Sequence, residues 1–191
     1  DLDGLVGSEM CIETAYYEGE FQWVADLQKA KEVESGTIPE PSILNAKLPD
    51  HFGYIFTGYI YAPEDGVYEF STRSDDGSVL YIGKEKVVDN DASHAAIDAM
   101  GRIPLQKGYH PFALHYFEDY EGEYLGWSWR TPSMSKLDAI PTENLYINDN
   151  IKTESYEKNN SIRAIRLSHP AIRHDRSRGC GTKSVSYTHL T

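Results

Sequence analysis

Three consecutive stretches decide the fold of this chain: Gly66-Val67-Tyr68-Glu69-Phe70-Ser71-Thr72, then Ser74-Asp75-Asp76-Gly77-Ser78, then Val79-Leu80-Tyr81-Ile82. The first and third read as β-strands. They are rich in aromatic and β-branched residues, and Tyr68, Phe70 and Thr72 share one face. The middle stretch is a strand-to-strand turn of Ser, Asp and Gly. Its two adjacent carboxylates are the unusual part. In an extended strand, neighbouring side chains point to opposite faces. For Asp75 and Asp76 to converge, the backbone must turn sharply or the peptide between them must be cis. Calcium takes several oxygen ligands, carboxylates among them. The pair is therefore a candidate metal site at the tip of a β-fold. A solvated Asp-Asp-Gly turn is the plainer alternative.

The flanking sequence repeats the pattern. Phe52 to Tyr61 is a continuous apolar and aromatic run, as expected of a strand buried on both sides. Pro63-Glu64-Asp65-Gly66 is a tight turn. Val79–Ile82 and Val87-Val88 form a hairpin around Gly83-Lys84-Glu85. Phe112, Leu114 and Tyr116 share a face, as do Leu125, Trp127 and Trp129. No sustained 3.6-residue period occurs. The fold class is all-β, an antiparallel β-sandwich. Residues 26–50 read as an irregular approach, because Gly36, Pro39, Pro41 and Pro49 exclude a long helix.

The motifs occur in a definite order. Gly58-Tyr59-Ile60-Tyr61-Ala62-Pro63-Glu64-Asp65-Gly66-Val67-Tyr68-Glu69-Phe70 leads into Ser74–Gly83. Val87-Val88-Asp89-Asn90, Ser93-His94, Leu105–Pro111 and Leu125-Gly126-Trp127-Ser128-Trp129 follow. This order resembles the PA-fourteen domain, the β-sandwich of a bacterial toxin's protective antigen. The wording is most similar to copies attached to secreted bacterial glycoside hydrolases, notably β-N-acetylhexosaminidases. Residues 1–13 then read as a linker or lead-in from a preceding domain, 14–149 as the PA-fourteen-like module, and 150–191 as a disordered or artefactual tail. A basic interaction tail is the alternative for that last segment.

The resemblance implies a site. In sugar-binding members, the Asp pair ligates calcium through a cis peptide, a second loop adds oxygens, and sugar hydroxyls complete the shell. Asp75 and Asp76 match the pair. The second loop falls at Glu118-Asp119-Tyr120-Glu121-Gly122. The Asn of the adhesin type is absent, and Glu118 or Asp119 stands near its place. The implied metal ligands are Asp75, Asp76, Glu118 and Asp119. The ligand-binding candidates are Asp75, Asp76, Asn90, Tyr120 and Tyr124. Tyrosine offers an apolar ring and a polar tip, which suits a pyranose. Asp89-Asn90-Asp91 with Ser93-His94 is a further oxygen-rich loop that could flank the same tip, although local turn-holding hydrogen bonds are its commoner use. His94 reads as a hydrogen-bonding residue of the fold, and Trp127 and Trp129 as core.

Composition narrows the partners. The chain has 191 residues, enough to bury a core of useful size, and 14 are tyrosines. Residues 1–149 hold 10 Lys/Arg and 27 Asp/Glu, a net of −17, and residues 150–191 hold 8 and 3, a net of +5. An acidic module argues against nucleic acid and anionic membrane. No apolar run approaches the roughly 20 residues of a membrane span. No signal peptide is visible and the first residue is not Met, so the chain reads as a piece of a longer protein. A disulfide between Cys11 and Cys180 would tie the tail to the front and is not expected. No nucleophile elbow, phosphate loop or metalloprotease helix motif is present.

These readings converge on a non-catalytic carbohydrate-binding accessory module of a secreted glycoside hydrolase. Calcium is the expected cofactor. The expected partners are a glycan and other domains of the parent enzyme, and the expected location is extracellular, periplasmic or cell-surface. The alternative is a structural spacer or interdomain-packing module without its own ligand.

Overall fold

A computed structural model of the chain describes residues 10–147. The readings placed on residues 1–9 and on 148–191, the tail included, lie outside the described residues.

Among the described residues, eleven strands form two antiparallel sheets, as the period-two pattern predicts. They are β1 (Ile12–Glu18), β2 (Glu32–Ile38), β3 (Phe52–Ala62), β4 (Gly66–Asp75), β5 (Ser78–Ile82), β6 (Glu85–Asn90), β7 (Ile97–Leu105), β8 (Gly108–Glu118), β9 (Tyr124–Arg130), β10 (Asp138–Ala139) and β11 (Leu145–Tyr146). The larger sheet runs β2-β1-β3-β8-β5-β6, with β11 also on β3. The smaller runs β10-β9-β4-β7. Short 3-10 turns at Val24–Lys29 and Thr142–Asn144 complete the described elements. None of the described helices is long and apolar enough to cross a membrane.

The main core lies between the sheets. Phe52, Tyr54, Phe56, Tyr68, Phe70, Leu80, Leu114, Tyr116 and Trp129 meet there. Trp129 is buried against Tyr68 and Phe70, and Trp127 packs on Phe112. Both tryptophans are thus core residues, as their shared face indicates. A second cluster covers the outer face of the larger sheet. There Phe21, Val24 and Leu27 cover Tyr17, Ile55, Val79 and Phe117. This cover explains why residues 52–56 are buried on both faces of β3.

Two strands were not legible in advance. β2 lies within the segment expected to be irregular, and β7 carries Gly101 and Pro104. Both are edge strands. Pro104 is tolerated because an edge strand need not donate on both sides. Gly101 has a different reason. A Cβ there would fall on the carbonyl oxygen of Val87 in β6. Glycine lets the edges of the two sheets touch backbone to backbone.

The front of the domain also differs from the expectation. β1 begins at Ile12, inside the predicted lead-in. Cys11 is disulfide-bonded, and the reading against a Cys11–Cys180 bridge falls on Cys180, outside the described residues.

Candidate functional site

β4 and β5 meet at one end of the sandwich, where the Asp75–Asp76 peptide is cis. Three carboxylates converge there. Ligand-type oxygens of Asp75, Asp76 and Glu118 all lie within 4.8 Å of one another. Asp76 and Glu118 are buried, at 2% and 0% exposure.

Asp76 ties two loops together. Its Oδ1 accepts from Ser93 Oγ at 2.9 Å and from the His94 N–H at 2.7 Å. Its Oδ2 accepts from the Asp119 N–H at 2.8 Å and, at a longer 3.4 Å, from the Tyr120 N–H. Asp75 Oδ2 accepts from the Ala96 N–H at 2.9 Å. Backbone amides from the 91–96 and 119–122 loops therefore aim at the pair. Such donors offset the cost of burying carboxylates.

Glu118 enters from the end of β8. Its Oε1 is buried without a hydrogen-bond partner among the described residues. The Tyr116 hydroxyl donates to the Asp75 carbonyl at 2.6 Å and reaches Glu118 Oε2 at 3.1 Å. Desolvation, then the negative charge of Asp76, pushes the Glu118 carboxyl up to about 8. A group so placed lacks a positive partner. An oxygen-seeking dication is the chemistry this donor set fits, and the orphaned Oε1 is the atom that calls for it.

The other predicted residues divide into rim and support. Asp119 contributes its N–H to Asp76, while its carboxylate turns to Ser93 Oγ at 3.3 Å and His51 Nδ1 at 3.7 Å. Tyr120 and Tyr124 stand exposed, at 65% and 48%. The Tyr124 ring lies 5.9 Å from the Arg73 guanidinium. Asn90 sits beneath the site, not at the rim. Its amide donates to Ser74 Oγ at 3.0 Å and to the Ile97 carbonyl at 3.2 Å. It belongs to a buried hydroxyl network with Thr72 and Ser78.

The 91–96 loop does flank this tip. Its Asp91 accepts from the Val24 N–H at 2.9 Å, locking the outer 3-10 turn to the loop. His94 is half-buried, its ring nitrogens against the Ala95 and Asn90 carbonyls. Sequence reasoning missed Tyr116 as a support, though it lies two residues before Glu118 on the same strand face. It also missed Asp50, which accepts from the Glu121 N–H at 3.2 Å.

Comparison with known proteins agrees with this architecture. The family described as "PA14 domain" matches residues 20–142. A beta-hexosaminidase of Porphyromonas gingivalis is 32% identical over 132 residues, covering 62% of this chain and 15% of that protein. The chain thus spans only a small part of that curated relative. Among solved structures, the PA14 domain of an antifreeze protein aligns with TM-score 0.58 at 17% identity, over 77% of this chain and 96% of that one. A PA14 sugar-binding domain from an RTX adhesin aligns with TM-score 0.58 at 14% identity, over 74% and 99%. Epithelial adhesin 9 of Candida glabrata, in complex with Galβ1-3GlcNAc, aligns with TM-score 0.55 at 15% identity, over 75% and 92%.

Proposed function

The chain belongs to the PA14 domain family, and from that premise we propose that it is a non-catalytic carbohydrate-binding accessory module, assisted by calcium at Asp75, Asp76 and Glu118. The observation that carries this reading is the buried three-carboxylate cluster with the unpartnered Glu118 Oε1. Asp75, Asp76 and Glu118 would hold the ion, with Asp119 at the rim. Asp76 already accepts four hydrogen bonds, and the longest, from the Tyr120 N–H at 3.4 Å, is the one an arriving cation would displace first. Bound calcium supplies open coordination positions for sugar hydroxyls. Tyr120 and Tyr124 offer exposed rings for the apolar face of a pyranose.

The sugar-binding domain of the RTX adhesin and the Galβ1-3GlcNAc complex of epithelial adhesin 9 support the ligand class. The beta-hexosaminidase relative supports a parent glycoside hydrolase, with this module holding it near glycans.

The spacer reading needs an apolar docking face. On the outer face of the smaller sheet, exposed Val67 and Met100 are separated by the Arg102–Glu69–Arg130 ion pairs, and Arg73–Asp98 flanks Met100 on its other side. That interleaving favours the glycan reading. Glycan-array binding of the chain, with calcium and with chelator, tests it. Binding to a defined glycan set that chelator abolishes is the expected result. No binding at saturating calcium would leave the spacer reading in front.

A further inference from the structure

The larger sheet has a six-strand path and the smaller has four. Since β6 packs against β7 at one side, the β2 end of the larger sheet is left without a facing strand. Segment 39–50 covers it instead, packing Ile43 and Ala46 on the core. Between that segment and β2 lies a recess of about 70 Å³. At roughly 10–15 Å³ per water, it holds about five waters. That suits one face of a single small ring and is too small for a chain threaded through it.

The register explains the recess. Thr14 lies opposite Gly36, and Tyr16 lies opposite Glu34 on one side and Tyr54 on the other. Gly36 has no side chain to fill the gap beside Thr14. The Tyr16 and Tyr54 rings sit 5.0 Å apart and provide an aromatic wall. Ser42 and Asn45 line it from the covering segment. Thr14 Oγ1 is buried without a hydrogen-bond partner among the described residues. A hydroxyl in that state calls for a polar group from water or a ligand. Glu34 is paired with Lys47, whose N–H also donates to the Tyr16 hydroxyl at 3.2 Å. The charge in the recess is therefore matched, which disfavours an ion as occupant.

We propose that this recess is a second binding site, independent of metal, for a neutral hydroxyl-rich ring such as a pyranose. It goes beyond the calcium-assisted reading, and neither site requires the other. Two sites on one module would raise the avidity for a multivalent glycan without any new contact at the first.

The test is a titration of the isotope-labelled full chain with N-acetylglucosamine and, separately, galactose, in chelator and again in saturating calcium, followed by amide NMR. The expected result is saturable shifts at Gly36 and Asn45. Thr14→Val should weaken that binding about three- to tenfold, the range of one hydrogen bond. Asn45→Ala, at an exposed position, should weaken it without threatening the fold. Absence of shifts at Gly36 and Asn45 with both sugars overturns the proposal, as do shifts that neither variant weakens. Shifts confined to residues 119–122 and dependent on calcium overturn the recess while leaving the calcium-assisted reading intact. Shifts at Gly36 with none that depend on calcium do the reverse.

Discussion

Gly122 shows how little room the carboxylate site leaves. Its φ is +96°, and a Cβ there would sit 3.3 Å from Asp75 Oδ2. A side chain at this position meets both the backbone preference and the carboxylate. Gly122→Ala should lower calcium affinity about tenfold, read by calorimetric titration, while the fold remains intact by circular dichroism. Glu118 makes a second prediction at the same scale. Its folded pKa, about 8, lies above the ordinary carboxyl value. With chelator present, the folded chain then holds a proton that the unfolded chain has released. Stability from this group is full below pH 4.5 and is lost as pH rises through 8. His115 acts in the opposite sense, since burial lowers it to about 4, but its window closes near pH 6.5. Between pH 6.5 and 8, urea midpoints in chelator should fall for the wild type and stay level for Glu118→Gln.

At the scale of elements, edges separate what the sequence discloses from what it hides. β3, β4, β5, β8 and β9 bury side chains on at least one face, so their aromatic alternation is visible. β2, with Glu32, Glu34 and Gly36, and β7, with Gly101 and Pro104, carry no such signal. Their places are set by partners far away in the chain, not by local pattern. The site divides in the same way. Asp75 and Asp76 stand out in the sequence by their adjacency, whereas Glu118 is named only through what the family resemblance implies. The amides of His94 and Ala96 and the hydroxyl of Tyr116 were not legible, because backbone groups and a core tyrosine look alike everywhere. Gly101 is the cleanest test of an edge. Alanine there would collide with the Val87 carbonyl and force β7 off β6. Gly101→Ala should cost about 3 kcal/mol or more, within the range of overpacking and strain. Thermal unfolding measures it, and a wild-type melting temperature would show that the two edges can part freely.

For the whole molecule, the carboxylate end is both the proposed binding surface and the join between the two sheets. Asp75 closes β4 of the smaller sheet, and Glu118 closes β8 of the larger one. Without a cation, the crowding of carboxylates at this join is relieved only by the proton that Glu118 keeps up to about pH 8. An ion that binds only the folded state contributes about 2.7 kcal/mol at a hundredfold excess over its dissociation constant. For a chain of this size, each kcal/mol moves the melting temperature by about 2–4 °C. Calcium should therefore raise the melting temperature of the wild type by about 5–10 °C over the value in chelator. Asp76→Ala should behave differently in two ways. It removes the acceptor that holds Ser93, His94 and Asp119, so it should melt lower than the wild type even in chelator. It should also show almost no gain from calcium, because the ion's buried ligand is gone. Equal calcium shifts in wild type and Asp76→Ala would mean that the ion sits elsewhere. A lowered melting temperature in the variant, with no calcium shift in either protein, would reduce Asp76 to a hydrogen-bonded corner that joins two loops.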